Sequence, residues 1–323
     1  MFDISYEFVD KQVNFTKIRL NNKLEIIFSN LGASIFEIKL SDKSSRLENI
    51  LVSPMKEIWL KDRTFAGSIV GPLAGRYAVN HTQLEKNRPP IHFHGGSNGW
   101  DKHLWEQSII EETNQISLTF SYFHLNYDAY ITYTIDSDCN LMMEIDVQPK
   151  IEMYINPTNH MYFNLNGSAF LPVTNHLFQI DSNTVFSECN GLIQSSFPDL
   201  VPESLDFHTL RSLNLLEQNN GINHTFQFGK NHSGILKHPT NGRQVIFKTT
   251  LPSVVIYTFN SQQETFSKNH VLYPIYSGIT FETQYPANQL GIVTFTPLHP
   301  YYSKTTYNFS VKEDEDVTKN DSY

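Results

Sequence analysis

The chain has 323 residues with 40% hydrophobic and 13% aromatic side chains, a composition that excludes a disordered polymer and suits a folded core. Its net charge of −9, from 24 basic and 33 acidic side chains, comes without a basic stripe, which argues against nucleic acid as a partner. Two cysteines, Cys139 and Cys189, are too few for a disulfide framework and lack metal-site spacing, and no apolar run approaches a membrane span.

The first residues, Met1-Phe2-Asp3-Ile4-Ser5-Tyr6, carry neither a basic region nor an apolar core, so no signal peptide is expected and the protein reads as cytoplasmic. Leu24, Ile26 and Phe28 alternate with Glu25, Ile27 and Ser29 in a strand-like pattern, and Asn21-Asn22 before them predicts a tight hairpin. Residues 32–40 predict another strand. Residues 67–80 are rich in small side chains and predict a loop, with glycines that allow close backbone approach. Arg76 stands in this loop as an isolated cation; its fixed fork of N–H groups suits ligand oxygens, although an isolated Arg is usually a surface charge.

Residues 90–105 offer two leads to other chemistries. His92 and His94 have the i, i+2 spacing that sets both on one face of a strand, half of a metal site, but no further ligand motif accompanies them. Gly95-Gly96-Ser97-Asn98-Gly99 matches the G-x-S-x-G pattern of a nucleophile elbow. That pattern requires a strand before it and a helix after it in an α/β chain, and here Trp100-Asp101-Lys102 follows in a β-rich one. Trp100 and Trp105 read as wall or core.

Residues 108–148 predict three strands in an antiparallel meander, with Asp136-Ser137-Asp138 as a turn. The meander leads into Asn156-Pro157-Thr158-Asn159-His160-Met161-Tyr162-Phe163-Asn164-Leu165-Asn166-Gly167. There amide and hydroxyl side chains surround one imidazole and two aromatic rings. His160 is a candidate proton donor, since imidazole is the side chain that ordinarily titrates near neutral pH, and neighbouring Asn and Thr groups are placed to fix its tautomer. The plainer reading is a core histidine at a strand end.

Residues 168–222 are rich in Asp, Ser, Asn and Pro and predict long loops, which on a β scaffold often carry sites. Asn241-Gly242 between apolar runs predicts a hairpin, and residues 254–259 a buried strand. Residues 278–284 predict a strand in which Glu282, read from its neighbours alone, faces solvent. Residues 291–295 and 306–311 predict the last strands. Without repeats or a linker, residues 1–323 read as a single domain, with 312–323 a charged, frayed tail.

Five stretches together resemble the aldose 1-epimerase (galactose mutarotase) family, in the family's order and over nearly the whole chain. Asn159-His160-Met161-Tyr162-Phe163-Asn164-Leu165 is similar to T-N-H-x-Y-F-N-L. His94-Gly95-Gly96 with Gly99-Trp100-Asp101-Lys102 and Trp105 is similar to L-H-G-G-x-x-G-F-D-K-x-x-W. Ala74-Gly75-Arg76 resembles A-N-R, Tyr257-Thr258-Phe259-Asn260 resembles Y-T-G-N, and the stretch from Ser277 to Gln284 resembles S-G-F-C-L-E-T-Q. The resemblance implies an all-β fold, a large antiparallel β-sandwich with a sugar cleft on one face. It implies His160 as general acid and Glu282 as general base, with Arg76, His94 and Asn223 contacting sugar hydroxyls and Gly75 and Tyr162 beside them.

The implied activity is interconversion of the α and β anomers of a hexose, galactose or glucose, by acid–base ring opening and reclosure. It needs an acid and a base held across one sugar, and no metal or organic cofactor. Two alternatives use the same cleft: a phosphohexose 1-epimerase, for which Arg76 and Lys102 are the available cations, and a catalytically silent sugar-binding protein. The expected partner is a small aldose, with the protein a monomer or homodimer. Asn223 departs from the family, which usually has an acid there; an amide donates and accepts but carries no charge, so a shift in sugar preference or affinity is expected. Pro72, Gly75, Ile91 and Phe259 depart as well, all on the binding side of the cleft.

Overall fold

The computed structural model describes residues 2–9, 12–62, 64–79 and 82–312. Strands joined by tight turns account for most of it, and three antiparallel sheets organise the chain. The first has five strands in sequence order from Phe2–Phe8 to Leu47–Asn49. Its second and third strands, Asn14–Leu20 and Leu24–Ser29, join through the expected turn, where Asn21 takes the left-handed conformation at φ 50°.

The second sheet has nine strands. Its centre is Tyr301–Val311, which pairs with Asn140–Pro149 on one side and Arg243–Thr249 on the other. The meander expected over 108–148 forms its outer half, and Glu106–Glu111 extends it by a further edge strand. Along Gln115–Phe123 and Asn140–Pro149 burial alternates residue by residue, the period-2 signature of a sheet with one face in the core. The two sheets pack face to face: the Phe28 and Tyr133 rings lie 5.1 Å apart, and the Tyr133 hydroxyl donates to the Ala33 carbonyl at 2.9 Å.

The third sheet orders Asp199–Leu200, Thr184–Val185, Asn223–Gln227, Ser253–Tyr257 and Glu282–Gln284. Phe281, beside its last strand, ties it to the main core by stacking on Phe247 at 4.7 Å, Phe163 at 5.2 Å and Phe178 at 5.8 Å. Trp100 and Trp105 are buried in that core, edge to face at 5.5 Å.

Several local expectations differ from what forms. The stretch 67–80 is not all loop: Ile69–Val70 pairs with Thr158–Asn159, and Arg76–Ala78 with Ile91–Phe93. The strand expected over 278–284 breaks at Phe281 into Ile279–Thr280 and Glu282–Gln284, because the two pieces pair with different partners. Most of 291–295 is a 3-10 turn, Leu290–Val293, whose Thr294 side chain caps the Leu290 carbonyl. The charged tail lies, from residue 313 onward, outside the described residues. No described helix is long and apolar enough to cross a membrane.

Candidate active site

The third sheet, the Arg76–Ala78 hairpin and the turn around His160 surround a cavity of about 520 Å³. That size suits a small-molecule site. Seven residues named from the sequence, Gly75, Arg76, His94, His160, Tyr162, Asn223 and Glu282, all line it. They come from positions up to 207 residues apart, so the cavity is a product of the tertiary fold.

His160 sits between two short strands, Thr158–Asn159 and Tyr162–Phe163. Its backbone is clamped on both sides: its N–H donates to the Ser68 carbonyl at 3.0 Å, and its carbonyl accepts from Gly67 N–H at 2.9 Å. The amide-rich neighbours act on the main chain and not on the imidazole tautomer, contrary to the sequence expectation. Asn159 donates to the Gly67 carbonyl and accepts from Met161 N–H; Asn156 bridges Tyr77 and Tyr285; Asn164 donates to the Ser168, Leu171 and Ser277 carbonyls. Apart from the one to the Tyr77 hydroxyl, these bonds satisfy backbone groups of an irregular segment, which would otherwise carry a desolvation cost. The imidazole itself is held by ring contacts, with Tyr162 at 4.9 Å, His94 at 5.7 Å and Phe65 at 6.0 Å. Its Nδ1 is buried and has no hydrogen-bond partner among the described residues.

Glu282 does not face solvent. It is 4% exposed, and its Oε1 lies 3.4 Å from His160 Nε2. Alternation along the chain explains the placement: Phe281 turns into the aromatic core, which leaves Glu282 on the cavity side, paired in register with Val255. Thr280 Oγ1 accepts from Tyr257 N–H at 3.1 Å, which directs its own proton to Glu282 Oε1 at 3.0 Å. The carboxylate thus holds one fixed donor and faces the cavity with the rest of its capacity.

His94 lies just past the Ile91–Phe93 strand with φ 48°, so it does not share a strand face with His92. His92 turns away and meets the Glu85 carbonyl through Nδ1 at 3.0 Å. His94 Nδ1 accepts from Gly75 N–H at 3.1 Å, which makes Nε2 the protonated nitrogen of the neutral ring. Burial, reinforced by His160 and Arg76, holds this imidazole well below its ordinary pKa, so it stays neutral. His94, His160 and Glu282 bring three potential metal-ligand atoms within 4.8 Å of one another. Ligation through His94 Nε2 would move its proton to Nδ1, against Gly75 N–H, so the donor set fits a hydrogen-bond donor to substrate better than a metal centre.

Gly75 has φ 93°, and a Cβ there would come 2.8 Å from the Ala287 Cβ; glycine alone keeps the loop close enough to present its N–H to His94. Arg76 crosses the Phe93 ring at 5.4 Å, with Arg88 over the same ring at 4.9 Å. Tyr162 is held neutral, its pKa raised well above the ordinary value by burial and then by Tyr257 and Glu282. Asn223 lines the cavity from the strand position opposite Tyr257. Lys102 does not line the cavity; its ammonium donates to the Gly96 carbonyl at 2.7 Å. In the Gly95–Gly99 turn, the Ser97 hydroxyl and N–H donate to the Glu85 carboxylate, and the His92 ring nearby meets the Glu85 carbonyl and not the Ser97 hydroxyl.

Further lining residues escaped the sequence reading, among them Phe65, Arg88, Glu188 and Gln284. Phe65 follows Thr64 in a pair of left-handed residues, φ 45° and 66°, a conformation that costs energy and presses the ring against His94 at 4.8 Å. Gln284 is fully buried at the wall, with neither amide atom partnered among the described residues. Only Gln284 lay within a quoted motif, two residues after Glu282.

Comparisons with known proteins point to one family. The family model described as aldose 1-epimerase matches residues 16–300. The chain is 27% identical over 311 residues to galactose mutarotase of Homo sapiens, covering 87% of this chain and 89% of that protein. It is 25% identical over 305 residues to aldose 1-epimerase of Haemophilus influenzae, covering 86% of each. In fold it is similar to the crystal structure of galactose 1-epimerase from Lactobacillus acidophilus, with a TM-score of 0.82 at 23% identity over 97% of this chain and 99% of that one.

Proposed function

The chain belongs to the aldose 1-epimerase family, isomerases that interconvert sugar anomers, and from that premise we propose that it acts on an unmodified hexose, with galactose first and glucose second, using His160 and Glu282 as its acid and base. The observation that carries the assignment is the buried contact of 3.4 Å between His160 Nε2 and Glu282 Oε1 at the cavity wall. O1 and O5 of an aldose share one carbon, so the groups that serve them must converge as these two do.

In the forward direction Glu282 takes the proton of the anomeric hydroxyl, and protonated His160 gives a proton to the ring oxygen. The electron pair of the O1–H bond forms the C1=O1 carbonyl, and the C1–O5 pair leaves to O5. Rotation about C1–C2 turns the other face of the aldehyde toward O5. His160 then takes back the O5 proton as O5 attacks C1, and Glu282 returns its proton to O1. Atoms and charge balance, and no redox step arises. A positioned acid or base contributes about 10²–10⁴-fold. Neutral His94 and Arg76 donate to hydroxyls, and Tyr162 and Phe65 supply flat walls for the apolar faces of the ring.

One observation favours a second reading, a phosphohexose 1-epimerase: Arg88 joins Arg76 over Phe93 at the cavity, a pair of cations suited to an anion. A silent sugar-binding protein would keep the cavity without turnover. Polarimetry on freshly dissolved α-D-galactose, α-D-glucose and α-D-glucose 6-phosphate separates the three. Faster approach to equilibrium rotation with the unmodified sugars supports the proposal; acceleration with the phosphate alone supports the second reading. A folded protein that accelerates none of them is a binder.

A further inference from the structure

Glu188 is a second carboxylate on the cavity, and the acid–base chemistry has no use for it. It stands in a small hairpin, Glu188–Cys189 paired with Leu192–Ile193, within the irregular region that follows the His160 turn. The hairpin turn carries Asn190 and Gly191, both left-handed, and it closes over Arg76: a Cβ on Gly191 would come 2.9 Å from Arg76 Cδ. The hairpin, Arg76 and the Asn223–Gln227 strand therefore form one wall.

The carboxylate is anchored by a single residue, Thr225. Thr225 Oγ1, itself buried, donates to Glu188 Oε1 at 3.0 Å. Thr225 is two residues from Asn223 on the same strand, so both side chains project from one face of the sheet. Among the described residues Glu188 makes no ion pair, and its hydrogen-bonding neighbour is Thr225, through the hydroxyl and the backbone N–H. Burial raises its pKa, while the Thr225 hydroxyl and then the Arg76 charge draw it down. A carboxylate held by Thr225 and a guanidinium that makes no side-chain hydrogen bond among the described residues thus line the cavity side by side.

We propose that Glu188 is a sugar-binding residue that selects neutral aldoses: its cavity-lining carboxylate accepts a hydrogen bond from one hydroxyl of the bound sugar while Arg76 donates to another. This rests on reading the cavity as an aldose site, and it deepens that reading by excluding a phosphate from this wall. A hydroxyl can give a proton to the carboxylate and accept one from the guanidinium. A phosphate dianion has no proton to give and meets a like charge. Glu188 also supplies from a loop the negative charge that Asn223 lacks on the strand.

The test compares wild type with Glu188→Gln by polarimetry on α-D-galactose and α-D-glucose 6-phosphate, with KM and kcat separated. Loss of a charge-assisted hydrogen bond is expected to raise KM for galactose by about 10- to 100-fold with kcat changed by less than about twofold, since the reacting atoms lie at the other wall. The preference for galactose over the phosphate is expected to narrow. If Glu188→Gln does not fold, Glu188→Asp reads the same claim: the shorter carboxylate raises KM for galactose and keeps the bias against phosphate. Wild-type KM or a fall in kcat at constant KM in either variant, or an unchanged preference in Glu188→Gln, overturns the assignment. Wild type inactive on galactose overturns the underlying aldose reading instead, which the first measurement of the series reveals.

Discussion

The wall of the cavity proposed for acid–base chemistry and the wall proposed to bind hydroxyls are built from different material. His160 and Glu282 hang on main chain fixed by Asn159, Thr280 and the Phe281 stack, and both are almost fully buried. Arg76, Glu188 and Asn223 sit at a hairpin, a small loop and the start of a strand, and each is only half-buried. Chemistry that must place two groups across one carbon needs the rigid wall; recognition of a particular sugar can reside on the looser one. Of the departures from the family motifs, Gly75 and Asn223 line the cavity, while Pro72, Ile91 and Phe259 lie behind it, and His160 and Glu282 match the motifs.

The comparison breaks if the rigid wall proves dispensable. His160→Gln and Glu282→Gln are each expected to lower kcat by about 10²–10⁴-fold, with circular dichroism and Tm close to wild type. Near-normal turnover in either folded variant removes that residue from its role. Phe281→Ala tests the scaffold behind Glu282. Removing a ring stacked on Phe163, Phe178 and Phe247 is expected to cost about 3–5 kcal/mol of stability by denaturant titration, with activity falling too. A small loss there would mean that the aromatic stack does not hold the base in place.

A third test sharpens the contrast through pH. His176, fully buried behind the His160 turn, accepts Leu165 N–H through Nε2 at 2.9 Å and donates to Asn175 through Nδ1, and burial lowers its pKa to about 3. Protonation would sacrifice the bond from Leu165. The unfolded chain takes up this proton below about pH 6.5 while the folded chain does not, so stability falls as pH drops. The loss from this one group is about 1.4 kcal/mol per pH unit, down to about pH 3. His176→Asn is expected to flatten the slope of stability between pH 6 and 4; an unchanged slope assigns acid lability elsewhere.

The smallest expected effect lies on the loose wall. Asn223→Asp should lower KM for an unmodified hexose by a few-fold, on the scale of about 1 kcal/mol for one hydrogen bond, and by more in a Glu188→Gln background. An unchanged KM in both backgrounds would show that position 223 does not meet the sugar.

The sequence spoke clearly where local pattern decides structure. Period-2 burial in residues 115–149 and the Asn-Gly hairpin at 241–242 are local, and both form as read. His160 and Glu282 were legible through motifs, although Glu282 read alone suggests a solvent-facing residue. Its burial depends on Phe281 packing against residues more than 30 positions away in the chain. The strand break at Phe281 and the 3-10 turn at Leu290–Val293 were hidden for the same reason, since partners and not propensity decide them. Glu188 and Arg88 carry no local signal at all. They reach the cavity because loops fold over it, and loop course is the part of a fold that side-chain periodicity does not encode.

The central claim is proton exchange at O1 and O5 with cleavage of C1–O5, and oxygen tracing tests it most directly. Anomerisation of α-D-[1-¹³C]galactose followed by NMR in ¹⁸O-enriched water, with and without the protein, reports rate and oxygen fate together. The account predicts protein-dependent conversion to the β anomer with the original oxygen kept at C1. Uptake of one solvent oxygen at C1 for each conversion, or no protein-dependent conversion at all, would contradict it.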